Sequence, residues 1–256
     1  MENVIFHIDV NSAFLSWEAV YRLKNGGSVD LREIPSAVGG DKSKRRGIIL
    51  AKSIPAKAFG VRTGEPIVDA MRKCPSLTII PSHHGMYREF SKQFMDILRE
   101  YTPEVEKYSI DEAFMNMTGM ERLLGDPVAF AYKLKDRIKT DLGFTVNIGI
   151  SSNKLLAKMA SDFQKPDKVH TLFPEEIQEK MWPLPVSAAV CGKVHGKYAE
   201  EAGNLYHRRL AAADVEILKH HLKKHGEAIW NSANGRDSAV VEAVQEDNKG
   251  YATAQP

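Results

Sequence analysis

The heptapeptide Tyr108-Ser109-Ile110-Asp111-Glu112-Ala113-Phe114 places two adjacent carboxylates between apolar, β-prone flanks. Neighbouring residues on a regular strand point to opposite faces of the sheet. Asp111 and Glu112 can therefore serve one site only if the chain bends there, as at the tip of a hairpin. The segment predicts a β-hairpin that carries both acids at or beside its turn.

A third acid has a similar setting near the N-terminus. The run Val4-Ile5-Phe6-His7-Ile8-Asp9-Val10 predicts a buried strand, and Asp9 stands at its C-terminal end. A charge on a core strand is costly unless it is paired or bound to a metal. Three carboxylates on neighbouring strands are what two divalent ions need during phosphoryl transfer. The alternative is that Asp9 caps a turn and that Asp111 and Glu112 are only solvated.

The composition is that of an ordinary globular protein with one large domain or two modest ones. Of the 256 residues, 43% are hydrophobic and 27% are charged, and the net charge is +2. That charge permits a nucleic-acid partner without arguing for one. Two cysteines cannot form a disulfide framework, and the sequence has neither a signal peptide nor an apolar run near the roughly 20 residues of a membrane span. We expect a cytoplasmic protein without membrane contact.

Strand-like and helix-like segments alternate from residue 1 to about 165, which predicts an α/β or α+β layer structure, and of these we favour α+β with a mixed sheet and packed helices. Helices are predicted from Ala13 to about Lys24, behind an Asn11-Ser12 cap, and from Asp126-Pro127 through Leu142. After residue 173 the sequence predicts short helices with basic faces and hardly any strand. We therefore place a domain boundary between residues 166 and 173.

Five motifs follow one another along the chain. They are His7-Ile8-Asp9-Val10-Asn11-Ser12-Ala13-Phe14, Ala37-Val38-Gly39-Gly40, Ser53-Ile54-Pro55-Ala56-Lys57-Ala58-Phe59-Gly60-Val61-Arg62, Ser109-Ile110-Asp111-Glu112-Ala113-Phe114, and Gly149-Ile150-Ser151-Ser152-Asn153-Lys154-Leu155-Leu156-Ala157-Lys158-Met159-Ala160-Ser161, closed by Lys165-Pro166. In this order and spacing the chain resembles the Y-family (translesion) DNA polymerases, especially bacterial members of the DinB and UmuC type. The resemblance extends from residue 3 to about 168, and more loosely to about 240.

The resemblance implies a division into named subdomains. A catalytic palm would comprise residues 1–30 and 75–165, small fingers residues 31–74, and a helical thumb residues 166–240. Residues 241–256 would form a linker or disordered tail. The family's little-finger domain, which grips the duplex, would begin where this chain ends, so the resemblance implies a truncated polymerase.

The resemblance also assigns the acids. Asp9, Asp111, Glu112 and the main-chain carbonyl of Val10 would bind two Mg²⁺ ions, for which Mn²⁺ could substitute, with Asp111 and Glu112 as the catalytic pair. Mg²⁺ prefers hard oxygen ligands and is commonly shared with substrate phosphates.

A second set of positions matches residues that contact the incoming nucleotide in the family. Phe14 falls where the family carries an aromatic steric gate against the ribose 2′-hydroxyl; alternatively it is an ordinary core residue. The complete implied nucleotide-binding set is Ser12, Ala13, Phe14, Ser53, Lys57 and Lys165. Ser12 and Ala13 would offer backbone N–H groups to phosphate at a helix start.

The chain departs from the family pattern around Lys57. A Tyr-Glu-Ala-Arg segment is usual, whereas this sequence has Ile54-Pro55-Ala56-Lys57. Ile54 supplies no hydroxyl, and a lysine lacks the bidentate fork of arginine. The phosphate contacts are therefore expected to be weaker or differently shaped. The alternative for Lys57 and Lys165 is a solvated surface lysine.

The resemblance also implies contacts with DNA. Lys158, Gly192 and Lys193 would contact DNA phosphates, the last two in a degraded helix-hairpin-helix. The basic stretch 42–46 would touch the template or form a solvated hairpin tip. His221 and His225 are four residues apart, a spacing that would place both on one helix face and could bind zinc. A helix face with exposed histidines is the favoured interpretation.

These observations predict a template-directed DNA polymerase of the lesion-bypass type. Its substrates would be primer–template DNA and a deoxynucleoside triphosphate, and the chain would be a monomer whose full-length form binds a sliding clamp. Two alternatives remain open. One is a non-catalytic DNA-binding or scaffold fragment, and the other is another palm enzyme such as a nucleotidyl cyclase.

Overall fold

A computed structural model describes residues 3–40, 47–185 and 206–243 of the chain. These residues form two compact units. The first unit takes its described residues from Met1–Asp9, Leu98–Leu134 and Asn147–Pro256, and the second from Val10–Ile97 and Lys135–Val146. The predicted division into palm, fingers and thumb stays a prediction.

The described residues contain eight strands. They are β1 (Ile5–Val10), β2 (Ser36–Gly39), β3 (Ile49–Lys52), β4 (Thr78–Pro81), β5 (Val105–Lys107), β6 (Glu112–Asn116), β7 (Val146–Ser151) and β8 (Val169–Thr171).

The same residues contain ten α-helices. They are α1 (Ala13–Lys24), α2 (Ile54–Ala58), α3 (Ile67–Lys73), α4 (His84–Arg99), α5 (Glu121–Leu124), α6 (Pro127–Leu142), α7 (Lys154–Asp162), α8 (His207–Ala211), α9 (Val215–Leu222) and α10 (Lys224–Ala233), with a 3₁₀ turn at Pro174–Glu176 and a π-helical turn at Ile177–Met181. None of these described helices has the length and apolarity needed to cross a membrane.

The first unit is built on a five-stranded sheet in the order β5-β6-β1-β7-β8. Strands β5 and β6 form the predicted antiparallel hairpin, and β6 pairs antiparallel with β1. Strand β8 runs parallel to β7, so the sheet is mixed and the α+β prediction is confirmed. Phe6 and Ile8 of β1 are fully buried, which agrees with the apolar run that predicted this strand.

Strand β8 lies inside the predicted boundary at 166–173. It pairs with β7, so the sheet continues through the stretch where we expected the domain to end. The segment Val-His-Thr is three residues long, which is too short to produce a readable alternation of apolar and polar residues. Short helices do follow it, as predicted.

The second unit holds a three-stranded sheet in the order β3-β2-β4. Helix α1 spans Ala13–Lys24 as predicted, but its cap differs from the prediction. Ser12 occupies the N-cap position at φ 48°, in the left-handed region, and makes no side-chain capping bond. Instead, the hydroxyl of Ser16 donates to the Asn11 carbonyl, 2.6 Å away.

We expect a pH-dependent loss of stability at His207, the first residue of α8. Its ring is fully buried, and neither ring nitrogen has a hydrogen-bond partner in the described part of the chain. Burial lowers the pKa of His207 from 6.5 to about 4. Because the folded state holds this ring neutral, its stability is intact above pH 6.5 and falls as pH drops from 6.5 through 4.

Between pH 7 and pH 5 this group should remove up to about 2 kcal/mol of unfolding free energy. Denaturant unfolding of wild type and of His207→Leu at both pH values measures this contribution as the difference between their pH dependences, because the variant should lack this loss. The exposed His221 supplies the matched control, since His221→Leu should leave the pH dependence as it is. An equal slope in wild type and His207→Leu would contradict this account.

Candidate catalytic carboxylate site

The pairing of β1 with β6 brings the predicted acids together. In the antiparallel register Asp9 lies directly opposite Glu112, the first residue of β6. Asp111 precedes it in the turn after β5, and the backbone N–H groups of Tyr108 and Ser109 close that turn on the Glu112 carbonyl at 3.0 and 3.1 Å. The bend predicted from the adjacent carboxylates is therefore present.

Asp111 is held by its own turn. The hydroxyl of Ser109 donates to Asp111 Oδ1 at 2.7 Å, and the backbone N–H of Asp111 lies 3.3 Å from the same hydroxyl oxygen. A side chain that bonds two residues along its own backbone is typical of a tight turn. This local arrangement orients the Asp111 carboxylate within the turn.

Asp9 lies in an environment that disfavours its charge. Desolvation by burial is the main cause that raises its pKa from 3.8 to about 7, and the negative charges of Glu112 and Asp111 add to the rise. Lys165 acts in the opposite direction but does not cancel these effects. Asp9 therefore lies within electrostatic reach of both Glu112 and Asp111.

Two lysines neutralise this site. Lys165 Nζ lies 2.9 Å from Asp9 Oδ2 and 2.8 Å from Asp162 Oδ1. Lys158 Nζ lies 2.7 Å from Glu112 Oε1. Burial lowers the pKa of Lys165, but the carboxylates of Asp9 and Asp162 outweigh it and raise the pKa overall.

These pairs bear on the predicted metal ligands. In the described ranges, no group of three or more His, Cys, Asp and Glu side chains is arranged to hold a metal ion. Asp9 and Glu112 are ion-paired with lysines, and the metal-binding role predicted for these two acids and for Asp111 stays a prediction. Val10, the predicted carbonyl ligand, follows Asp9 as the last residue of β1.

The chemistry of the donors nevertheless fits a hard cation. Three carboxylates supply the oxygen ligands that Mg²⁺ prefers. Burial is the main cause of the raised pKa of Asp9, and the nearby negative charges of Glu112 and Asp111 add to it. Further positive charge would be stabilised there.

His7 is a member of the site that the sequence analysis missed. Its fully buried ring places Nδ1 2.8 Å from the Ser161 hydroxyl, and Nε2 lies 3.5 Å from Lys158 Nζ. Burial, followed by the charge of Lys158, holds the pKa of His7 well below its usual value. A signal was available: His7 and Asp9 are two apart on one strand and so share a face.

Tyr108 also belongs to this cluster, because Lys158 Nζ lies 4.9 Å from the centre of its ring. The sequence analysis predicted Lys158 as a DNA contact. In the structure its side chain is 16% exposed and its ammonium forms an ion pair with the Glu112 carboxylate. The DNA contact of Lys158 stays a prediction.

The predicted nucleotide-binding residues of the second unit include three at the start of α1. Ser12 is exposed in its left-handed conformation, Ala13 is buried, and Phe14 is half-buried. Lys57 is exposed on α2. Their contacts with a nucleotide stay predictions.

Ser53, a further predicted nucleotide contact, has a fully hydrogen-bonded side chain. Its hydroxyl accepts hydrogen bonds from the backbone N–H groups of Ser36 and Ala56, both at 3.1 Å, and donates to the Ile34 carbonyl at 2.8 Å. One donor and two acceptor positions are all that a serine hydroxyl has. The side chain caps α2 and ties it to β2, and its contact with a nucleotide stays a prediction.

The predicted histidine pair is also corrected. His221 lies on α9 and His225 on α10, and between these helices Lys223 adopts φ 54°. The two histidines therefore do not share one helix face, because a left-handed residue interrupts the helix that their spacing assumed. Gly192, Lys193 and the basic stretch 42–46 lie outside the described residues.

Comparisons with known proteins match most of this chain to one family. Residues 8–162 match the model of the impB/mucB/samB family. The chain is 48% identical over 250 residues to DNA polymerase IV of Clostridium acetobutylicum, covering 97% of this chain and 63% of that protein. It is 39% identical over 245 residues to DNA polymerase IV 1 of Bacillus subtilis, covering 93% of this chain and 56% of that protein.

A solved structure gives the same result for the fold. A Y-family DNA polymerase chimera of Dbh and Dpo4 superposes with a TM-score of 0.80 at 26% identity, over 93% of this chain and 69% of the other. The chain thus spans about three fifths of the length of the curated relatives named above.

Proposed function

The chain belongs to the impB/mucB/samB family, and from this premise we propose that it is the catalytic part of a template-directed DNA polymerase of the translesion type. The observation that carries the proposal is the pairing of Asp9 with Glu112 across β1 and β6, with Asp111 in the adjoining turn. The DNA polymerase IV names of its relatives support the same activity.

The proposed reaction is nucleotidyl transfer from a deoxynucleoside triphosphate to a primer 3′-hydroxyl. Asp9, Asp111, Glu112 and the Val10 carbonyl would hold two Mg²⁺ ions. When bound, the ions would lower the pKa of the attacking hydroxyl and neutralise charge on the triphosphate. Asp111 is already oriented by Ser109, and the β1–β6 register sets Asp9 beside Glu112.

We propose separate tasks for the two lysines. Lys165 bridges Asp9 and Asp162, and its ammonium would move to the triphosphate when the nucleotide arrives. Lys158 would keep the Glu112 carboxylate in place, because His7 and Tyr108 confine its ammonium. A lysine serves as a point charge that can exchange one oxygen partner for another.

Single-nucleotide insertion tests this function. We expect the chain to extend a primer by the nucleotide that the template specifies, with Mg²⁺ and not with EDTA. A chain of net charge +2 should bind DNA weakly, about 10⁻⁴–10⁻⁶ M near physiological salt, so the assay needs low salt and micromolar DNA. Asp111→Asn supplies the inactive control.

Two results would contradict the proposal. Tight DNA binding, measured by fluorescence anisotropy, without insertion at any Mg²⁺ concentration would favour a DNA-binding scaffold. A cyclic nucleotide formed without a template would favour a cyclase. Recruitment by a sliding clamp stays a prediction for the longer protein.

A further inference from the structure

Phe14 is seated against a group of aromatic side chains in the second unit. Its ring stacks on that of Tyr87, with centroids 4.7 Å apart and planes 22° apart. Trp17 and His84 meet it edge-on at 5.9 and 6.5 Å. Because Tyr87 is fully buried and Phe14 is half-buried, Tyr87 supports one face of the Phe14 ring from the core.

A buried carboxylate accepts a hydrogen bond from the hydroxyl of Tyr87. Glu18 lies on α1, one helical turn after Phe14, and its side chain is 1% exposed. The Tyr87 hydroxyl donates to Glu18 Oε1 at 2.7 Å, and His83 Nδ1 lies 2.7 Å from the same oxygen. Glu18 therefore joins two residues of the segment that leads into and forms α4.

The core around Glu18 does not require a carboxylate for packing. Its second oxygen, Oε2, is buried and has no hydrogen-bond partner in the described part of the chain. Burying a polar oxygen without a partner costs free energy, so such groups in a native structure call for an explanation. A leucine or methionine would fill the space between α1 and α4 without burying that oxygen, although it would leave the buried Tyr87 hydroxyl without its acceptor.

We infer that Glu18, acting through Tyr87, positions the ring of Phe14 and thereby sets the preference for deoxyribose over ribose. The inference rests on the proposed polymerase function, with Phe14 as the steric gate. Glu18 and Tyr87 are positioning residues in this scheme, since neither has to touch the nucleotide.

Steric exclusion of a hydroxyl depends closely on the position of the ring that excludes it. A ring excludes a single hydroxyl only while it stays within a fraction of an ångström of its place, and a displacement of about 1 Å is enough to change a rate by about 10²-fold. A tyrosine ring held only by packing can slide along its neighbours. The Tyr87 hydroxyl is fixed by its hydrogen bond to Glu18 Oε1, an oxygen that His83 also contacts, and the stacked ring of Phe14 is fixed with it.

The test compares kcat/KM for a deoxynucleotide with kcat/KM for the matching ribonucleotide. We expect Tyr87→Phe and Glu18→Leu to lower this ratio about tenfold, chiefly by raising ribonucleotide insertion. Glu18→Gln keeps an oxygen that accepts from the Tyr87 hydroxyl, so it should retain most of the ratio. Such rescue by the conservative variant would not arise from a general loss of packing.

Phe90 supplies the packing control. It is a buried aromatic residue of the same helix α4 and stacks on Trp17 at 6.2 Å. Phe90→Leu removes a ring from this core, and its effect on Tm should equal or exceed that of Tyr87→Phe. We expect the sugar ratio to stay within about twofold of wild type in this variant.

A second measurement does not depend on activity. In a crystal structure of Glu18→Leu we expect the Phe14 ring to be displaced or to occupy two positions. A Phe14 ring that keeps its wild-type position in Glu18→Leu would overturn the inference, as would an equal loss of sugar preference in Phe90→Leu. An unchanged ratio in Glu18→Leu and Tyr87→Phe, beside a lowered ratio in Phe14→Ala, would overturn it while leaving the polymerase function intact. If wild type inserts no nucleotide, the polymerase function fails and the sugar preference fails with it, while the crystal structure still decides whether Glu18 positions Phe14.

Discussion

Replacement of Asp9 by asparagine is expected to lower kcat/KM for nucleotide insertion by about 10³-fold or more. The change leaves the side chain nearly isosteric but removes one of the three negative charges that the β1–β6 pairing brings together. Stabilisation of transition-state charge by a bound metal is worth several kcal/mol, and about 4 kcal/mol corresponds to a factor of about 10³.

The loss of activity should occur without a loss of stability. The folded pKa of Asp9 is raised to about 7, so its contribution to stability is complete below the unfolded value of 3.8 and disappears as pH rises through 7. At pH 8 the buried charge disfavours folding. Because asparagine carries no charge, the Tm of Asp9→Asn at pH 8 in EDTA should equal or exceed that of wild type. A buried Asp9 carboxylate that destabilises the fold at pH 8 would then be explained by its role in catalysis.

Asp162 is the matched control for Asp9. Both carboxylates contact Lys165, at 2.8 Å for Asp162 and 2.9 Å for Asp9, but Asp162 is 41% exposed and Asp9 is 14% exposed. Asp162→Asn should change kcat/KM by no more than severalfold. Equal losses in the two variants would mean that Lys165, and not the carboxylate cluster, accounts for the effect. Near-normal insertion by Asp9→Asn would contradict the proposed metal-binding role of Asp9.

The sequence was sufficient to predict the carboxylate cluster, because its determinants are local. The apolar run before Asp9 requires a buried strand, and the adjacent pair Asp111-Glu112 requires a bend. Both features are present, and they meet in the register of β1 with β6. Helices α1 and α6 were predicted with their observed ends for the same reason, since their start signals and periodicity lie within the segments themselves.

The partners of these acids were not predictable in the same way. Lys158 and Lys165 lie 46 and 53 residues beyond Glu112 in the sequence, and only tertiary packing decides that their ammonium groups face carboxylates instead of solvent. The contacts of Ser53 were unpredictable for a related reason. Two of its three hydrogen bonds, those with the Ser36 N–H and the Ile34 carbonyl, join segments 17 and 19 residues away in the sequence. Side-chain pairing across elements depends on register, which local patterns do not specify.

Replacement of Phe14 by alanine is expected to lower the ratio of deoxynucleotide to ribonucleotide kcat/KM by about 10²-fold. The proposed gate acts by excluding the 2′-hydroxyl, so its removal should raise ribonucleotide insertion and leave deoxynucleotide insertion within a fewfold. Phe14 carries no charge and no oxygen, so the substitution removes no proposed metal ligand. Single-nucleotide insertion with paired deoxy- and ribonucleotides measures the ratio.

Phe59 provides the control, because it is an aromatic residue of the same unit with an exposed ring, and Phe59→Ala should leave the ratio unchanged. Phe14→Leu should give an intermediate ratio, since a leucine fills part of the volume of the ring. Some loss of Tm is expected in Phe14→Ala because the stack on Tyr87 disappears, but lost stability alone would lower insertion of both nucleotides together. A selective gain for ribonucleotides therefore separates a gate from a core residue, and an unchanged ratio would assign Phe14 to the aromatic core of α1 and α4.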